Sequence, residues 1–221
     1  MEKIFQIAVD GPSGAGKSTI AKAVAQILKI DYIDTGAMYR AVGYKLKRDG
    51  IDMYDDVALT KLLAETQIDF CDGNTLLDGE IVNDKIRTPE ISMMASDCSA
   101  IGKVRTKLVQ LQQKMGESKS VIMDGRDIGT VVFPNAKYKF YLTATDEERA
   151  NRRFIELTQK GEKTTFEEVL EDMRRRDHND STREITPLRK ADDADEIDST
   201  NMSIDEVVGY IIEEVKKHGD C

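Results

Sequence analysis

The 221-residue chain is poor in the side chains that most often bind metals or form covalent cross-links. Its three cysteines, Cys71, Cys98 and Cys221, are odd in number and show no C-x-x-C spacing. Neither a disulfide framework nor a zinc site is therefore favoured. Since His178 and His218 are the only histidines, a histidine-based metal site is also disfavoured.

The chain also lacks long apolar runs and an excess of positive charge. No apolar run approaches bilayer-spanning length, and Asp10 interrupts the N-terminal apolar stretch, so no signal peptide is predicted. A net charge of −9 argues against a general nucleic-acid coat. Hydrophobic residues at 40% and charged residues at 33% are typical of a globular protein. We expect a cytoplasmic monomer that acts on neither membranes nor nucleic acids.

The most informative stretch is a glycine-rich loop of the form G-x-x-x-x-G-K-[ST]. It comprises Gly11, Pro12, Ser13, Gly14, Ala15, Gly16, Lys17, Ser18 and Thr19. An apolar run at 3–9 precedes it, and apolar residues at helical spacing follow from Ile20 to Leu28, which is the context of a phosphate-binding loop. In such a loop Lys17 reaches the β- and γ-phosphates and Ser18 holds Mg²⁺. A chance glycine loop is the alternative, but this context disfavours it, and we predict that the chain binds a nucleoside triphosphate.

Strand and helix patterns alternate along most of the chain. Strands are predicted at 31–34, 120–124, 139–142 and 196–200, and helices from 35, at 54–65, 89–96, 102–115, 146–160, 165–177 and 202–217. Short alternating segments separated by Asp72-Gly73-Asn74 and Asp78-Gly79 predict a small antiparallel meander at about 67–83. The order of elements predicts a single α/β domain over 1–221, with a central parallel sheet flanked by helices and the meander inserted.

A second informative stretch is the predicted strand that ends at Asp124, followed by Gly125, Arg126 and Asp127. A carboxylate at this end of a strand fits a residue that orients Mg²⁺ directly or through water. A common Asp-Gly turn is the alternative. That alternative is less attractive because Arg126 and Asp127 add opposite charges where α/β sheets bind ligands.

Three predicted helices carry polar or charged residues at spacings that suit anion binding. They are Thr35 and Arg40 on the first, Arg149 and Arg153 on the second, and, if the helical pattern of the third persists beyond 177, Arg176, Asp180 and Arg183 on that helix. Thr35 either caps its helix or offers its hydroxyl to an anion. Residues three or four positions apart share a helix face. A solvated face without function is the alternative, because charge runs are usually exposed.

Four segments together resemble bacterial cytidylate kinases. They are the loop at 11–18 and the segments 34–40, 124–134 and 176–183. The resemblance covers nearly the whole chain, including the meander, and segment 124–134 is far more specific than the loop. It implies a P-loop kinase that uses Mg²⁺ to transfer a phosphoryl group from ATP to CMP or dCMP in pyrimidine nucleotide metabolism, giving ADP and CDP or dCDP.

The resemblance also implies roles for individual residues. The acceptor's phosphate would be bound by Thr35, Arg40, Arg126 and Arg183, its sugar by Arg176 and Asp180, and its cytosine by Ser96, Arg105 and Asp127. Arg149 and Arg153 would touch the ATP side. The groups that stabilise the transferred phosphoryl would be Lys17, Arg126, Arg176 and Arg183. The acceptor-binding region would be about 35–105, and a helical lid would be about 160–186.

Two other classes of function share the glycine-rich loop. Kinases for UMP, AMP or a small metabolite differ from a cytidylate kinase only in their acceptor-side residues. A nucleotide-binding switch without an acceptor is the second class, but the sequence has no N-K-x-D guanine motif, since residues 135–138 have the wrong order. The acceptor-side residues favour cytosine, and we predict a CMP and dCMP kinase.

Overall fold

The computed structural model describes residues 4–71 and 73–218. Lys3 of the predicted first strand, Asp72 of the predicted turn and Cys221 lie outside the described residues. The chain divides into two compact units. The larger unit combines the residues up to Tyr32 with those from Gly116 onward, and the smaller unit is Ile33–Met115.

The helices and strands follow the predicted alternation. In chain order, the strands are β1 (Gln6–Asp10), β2 (Asp31–Asp34), β3 (Ile68–Cys71), β4 (Asn74–Leu77), β5 (Glu80–Ile81), β6 (Val121–Gly125), β7 (Tyr138–Thr143) and β8 (Asp195–Asp198). The α-helices are α1 (Lys17–Leu28), α2 (Thr35–Arg48), α3 (Asp56–Glu65), α4 (Pro89–Ser99), α5 (Gly102–Met115), α6 (Asp146–Gln159), α7 (Phe166–Thr182) and α8 (Ile204–Lys217). A single turn of π-helix at Ile128–Val132 follows β6.

The central sheet is built around β1, in the strand order β2-β6-β1-β7-β8. β1 pairs in parallel with β6 and with β7, so that Val9 lies beside Asp124 on one side and Phe140 on the other. Ile7, Ala8 and Val9 are fully buried, as expected of a strand covered on both faces. The apolar stripes of α1 and α8 complete this core. The loop at 11–19 therefore begins at the carboxyl end of the central strand of this sheet.

The smaller unit packs α2 along α4, and its meander forms a separate antiparallel sheet in the order β3-β4-β5. The two helices approach closely at Gly43, where a Cβ would lie 3.3 Å from the backbone nitrogen of Ala95. Met38 and Leu46 on α2 are fully buried in this unit. Because Gly43 has no side chain, α2 and α4 can pack closely at this crossing.

These elements confirm the predicted α/β fold and its inserted antiparallel sheet. Several details differ from the prediction. α3 begins at Asp56 instead of 54, because Asp55 caps the helix, and α7 continues to Thr182 instead of ending at 177. α2 is capped by Asp34, whose carboxylate accepts from the Ala37 N–H, so Thr35 is not its cap. The π-turn after β6 was not predicted.

Within the described ranges, no helix is both long enough and apolar enough to cross a membrane.

Gly11 provides a test of how the loop leaves β1. Its φ is +147°, and a Cβ there would lie 2.0 Å from the carbonyl oxygen of Leu142. We expect Gly11→Ala to lower the free energy of unfolding by about 2–4 kcal/mol. Gly209 on the exposed surface of α8 is the matched control: nothing lies within 4 Å of its Cβ position, and Ala there adds about 0.5–1 kcal/mol of stability. Denaturant unfolding measures both, and equal stability of the two variants would contradict this account.

Candidate nucleotide-binding site

The loop between β1 and α1 has the backbone of an anion-binding loop. Gly14 and Gly16 have φ of +71° and +87°, a region that glycine enters without steric penalty. Successive N–H groups in such a conformation form a concave site for an anion. The loop also packs tightly, since a Cβ on Gly14 would lie 2.9 Å from the carbonyl oxygen of Arg149. The backbone of this loop therefore has the conformation expected of the phosphate-binding loop that the sequence predicts.

Lys17, the first residue of α1, is buried inside this loop. Its ammonium donates to the carbonyl oxygen of Pro12 at 2.6 Å. Burial, and after it the positive charge of Arg126, lower the pKa of Lys17 to about 7, although Asp124 and other carboxylates oppose the shift. A cation held at this pKa gains stability from any anion that enters the loop, because the anion favours the charged form.

Asp124 is buried near the carboxyl end of β6 and accepts two hydrogen bonds. The Ser18 hydroxyl donates to its Oδ2 at 2.8 Å, and the Tyr32 hydroxyl donates to its Oδ1 at 2.7 Å. A serine hydroxyl next to a carboxylate is a set of hard oxygen ligands of the kind that Mg²⁺ takes in nucleotide sites. Both residues predicted as metal ligands thus lie together, and they fit the ion.

Four side chains predicted to bind the acceptor, alternately positive and negative, contact one another in the larger unit. We call this row of side chains the charged chain. Arg126 donates from Nε to Asp180 Oδ2 at 2.7 Å and from its terminal nitrogen to the Ser13 hydroxyl at 2.9 Å. Arg183 lies 3.7 Å from Asp180 Oδ1 and 3.9 Å from Asp127 Oδ1. The charged chain therefore connects the phosphate-binding loop with the end of α7.

Two members of this charged chain, Arg126 and Asp180, have pKa values shifted in favour of their charged forms. Burial opposes the charge of Arg126, but Asp180, Asp177 and Asp124 together outweigh that effect and raise the pKa of Arg126. Burial likewise opposes the charge of Asp180, and Arg126, Arg183 and Arg176 together lower its pKa. α7 ends at Thr182, so Arg183 is its C-cap residue and the predicted shared face extends to the helix end.

Arg149 contacts the phosphate-binding loop, whereas Arg153 has a different environment. Arg149 is buried and donates to the carbonyl oxygen of Ser13 at 2.7 Å. It also pairs with Asp177. Arg153 instead pairs with Glu156 on the half-exposed surface of α6, at 2.7 Å. The contacts therefore connect only the first of these two arginines with the loop.

In the smaller unit, α2 gathers a second group of predicted residues. Thr35 is buried at the start of the helix, and Arg40 donates to Asp34 Oδ2 at 2.9 Å. Arg87, which precedes α4, lies 3.6 Å from the same carboxylate oxygen. Asp34 therefore caps α2 and holds two arginines in one place.

Arg105 and Ser96 belong to the same unit. Arg105 is 2% exposed, donates to the carbonyl oxygen of Ser99 at 3.1 Å, and lies 5.6 Å from the centre of the Tyr39 ring. The Ser96 carbonyl oxygen accepts from the Ser99 hydroxyl at 2.7 Å. A guanidinium over an aromatic ring is attracted by the negative face of the ring, so Tyr39 helps to hold Arg105 in place.

The family profile described as "Cytidylate kinase" matches residues 7–217. The chain belongs to the cytidylate kinase family. A protein of that name from Clostridioides difficile (strain 630) is 54% identical over 209 residues, which cover 95% of this chain and 97% of that protein. Another from Bacillus licheniformis is 48% identical and covers 98% of both chains.

A solved structure is similar in fold alone. The crystal structure of an uncharacterized protein from Eubacterium ventriosum ATCC 27560 has a TM-score of 0.53 and 13% identity. It covers 97% of this chain and 99% of that one. The relatives in sequence, and not this structure, therefore identify the cytidylate kinase family.

Three residues of this cytidylate kinase fold were missed by sequence reasoning. Asp177 accepts from the Ser13 N–H at 2.8 Å, Tyr32 donates to Asp124, and Asp10 accepts from two backbone N–H groups after β6. The three-residue step from Asp177 to Asp180 was a usable signal, since it puts both carboxylates on one face of α7. Tyr32 and Asp10 carried no comparable signal, because their partners lie far away in sequence.

The low pKa of Lys17 predicts proton uptake when a polyphosphate binds. At pH 8 most Lys17 is neutral with a pKa of about 7, and phosphate oxygens favour the ammonium form. We expect a non-hydrolysable ATP analogue to take up as much as about one proton per site at pH 8, and much less at pH 6. Calorimetry in buffers of different ionisation enthalpy measures this uptake. Lys17→Met should lose it, and heats independent of the buffer in the unmodified protein would contradict the prediction.

Proposed function

We propose that the chain transfers the γ-phosphoryl group of ATP to CMP or dCMP, giving ADP and CDP or dCDP. The observation that carries this proposal is the charged chain of Arg126, Asp180, Arg183 and Asp127, which meets the phosphate-binding loop at Ser13. A nucleotide switch needs no such acceptor-side cluster beside its loop. Membership of the cytidylate kinase family supports the same reaction.

Each end of the acceptor would meet residues suited to it. We assign its phosphate to Thr35, Arg40, Arg126 and Arg183, and its sugar to Arg176 and Asp180. Guanidinium groups bind phosphate oxygens through paired N–H donors. A carboxylate accepts hydrogen bonds from ribose hydroxyls. The ionised state of Asp180, whose pKa is lowered, supports that role.

Cytosine would be read by Arg105, Asp127 and Ser96. The base offers an N4 amino donor beside N3 and O2 acceptors, so a carboxylate or hydroxyl takes the donor while a guanidinium supplies hydrogens. Arg105 and Asp127 are both buried. Uracil would leave these buried groups unmatched, and such mismatches discriminate strongly.

The reaction itself needs positioning and charge neutralisation more than bond-making groups. A phosphate oxygen of CMP attacks the γ-phosphorus of ATP in line, the bond to the β-phosphate oxygen breaks, and ADP leaves. No general base is assigned, because the phosphate dianion is already a nucleophile. Lys17 and the arginines Arg126, Arg176 and Arg183 would spread the developing negative charge. Mg²⁺ at Ser18 and Asp124 would supply further charge neutralisation.

We propose that residues 160–186, which include α7, act as a lid that excludes water during transfer. The acceptor region at about 35–105, the cytoplasmic location and the monomeric state stay predictions.

The first experiment is a coupled ADP-release assay with ATP and Mg²⁺, offering CMP, dCMP, UMP and AMP in turn. We expect turnover with CMP and dCMP far above that with UMP and AMP. Lys17→Ala, which removes the loop cation, should abolish turnover. Equal rates with UMP would keep the kinase reaction but reject the cytosine assignment. ADP release that ignores the acceptor would overturn the proposed function.

Base reading is tested by Arg105→Ala and Asp127→Ala. Each removes a charged partner of the base, and we expect kcat/KM for CMP to fall about 10- to 100-fold relative to that for UMP. Arg175→Ala is the matched control, since Arg175 pairs with Asp172 on the exposed face of α7. If the CMP to UMP ratio stays constant in both variants, neither residue reads the base.

A further inference from the structure

Asp10 is a buried carboxylate to which the reaction described above gives no role. It is the last residue of β1 and immediately precedes Gly11 of the phosphate-binding loop. Its two oxygens accept from the backbone N–H groups of Ile128 at 2.8 Å and Gly129 at 2.7 Å. Its side chain therefore joins the strand before the loop to the segment after β6.

The two N–H groups that Asp10 accepts are the first of the π-turn at Ile128–Val132. The first N–H groups of a helical turn have no acceptor within that turn, and buried donors need one. Asp127 begins the turn, since its carbonyl oxygen accepts from the N–H groups of Val131 and Val132. The conformation of the backbone that carries Asp127 thus depends on a side chain from another strand.

Burial disfavours the charged form of Asp10, and its two backbone hydrogen bonds favour that form. Burial raises its pKa to about 6, the two backbone N–H groups lower it, Asp127 raises it and Lys17 lowers it. An asparagine of the same size would avoid the burial penalty but would turn an amide donor toward one of the two N–H groups. Only a carboxylate accepts from both donors at once.

We propose that Asp10 is a positioning residue for acceptor recognition. By holding Ile128 and Gly129, it sets the place of Asp127 and its neighbour Arg126 relative to the phosphate-binding loop, which starts one residue later. This inference rests on the proposed function, because it takes Asp127 to contact cytosine. It requires that loss of Asp10 weakens CMP recognition more than ATP binding.

The test compares Asp10→Asn with the unmodified enzyme in steady-state kinetics, varying ATP and CMP separately and repeating with UMP. We expect KM for CMP to rise on the order of tenfold to a hundredfold, since small misplacements of positioning groups have effects of this size. KM for ATP should change less than about threefold, and the CMP to UMP ratio should fall. A merely structural loss would lower the amount of active enzyme and leave these ratios unchanged.

The matched control is Asp193→Asn, a carboxylate-to-amide change at the ion pair with Lys139. The Lys139 side chain also lies against Gly129, with its Cδ 3.2 Å from a Cβ placed there. This control should retain the unmodified KM values. Equal increases of both KM values in a folded Asp10→Asn enzyme, or no change in either, would overturn the inference.

A second variant covers the case in which Asp10→Asn does not fold. Gly129→Ala places a methyl group 3.4 Å from Asp10 Oδ2 and 3.2 Å from Lys139 Cδ, so it disturbs the same contact from the other side. We expect the same split between KM for CMP and KM for ATP at smaller size, and unchanged kinetics would overturn the inference. In all cases the unmodified enzyme is measured first. Its own failure to prefer CMP would reject the proposed function and not the role of Asp10 in holding the turn.

Discussion

Charged side chains buried at the carboxyl edge of the parallel sheet must be paired or hydrogen-bonded, and this requirement governs the larger unit. Lys17, Asp10, Asp124 and Arg149 are all buried there. Each has partners from other elements: a loop carbonyl for Lys17, two backbone N–H groups for Asp10, two hydroxyls for Asp124, and Asp177 for Arg149. Leaving one such partner out would strand a charge in a medium that solvates it poorly. The elements are therefore fixed to one another by charge as well as by apolar packing.

Under the proposed function, the same contacts explain why this edge would attract phosphate. The carboxylate of Asp177 accepts from the Ser13 N–H, which shows that the loop accommodates a negatively charged oxygen. α7 supplies alternating charges on one face, with Asp177 and Asp180 separated by less than one turn. Arg126 connects Asp180 to the Ser13 hydroxyl. Loop and helix thus form one continuous polar network. Under the proposed function, an incoming phosphate would exchange partners with the groups of this network.

In the smaller unit, charged side chains are likewise held by hydrogen-bond partners. Asp34 both caps α2 and accepts from Arg40, so one carboxylate sets the start of the helix and the direction of a cation. Arg105 is buried beside the Tyr39 ring with a carbonyl partner at Ser99. Guanidinium groups held in this way lose little conformational freedom when they bind a ligand. Under the proposed function, Arg105 would therefore bind the base at a low entropic cost.

The sequence by itself determined the features that depend on neighbouring residues. The phosphate-binding loop, β2 at Asp31–Asp34, the meander and the start of α4 at Pro89 follow from local periodicity, turn residues and the fixed φ of proline. Only the tertiary structure decided the bonds from Asp10 to the π-turn, 118 residues away, and from Asp177 to Ser13, 164 residues away. A hydrogen bond between distant segments leaves no periodic trace in either one. Its existence depends on how strands align and helices dock, which packing of the whole chain sets.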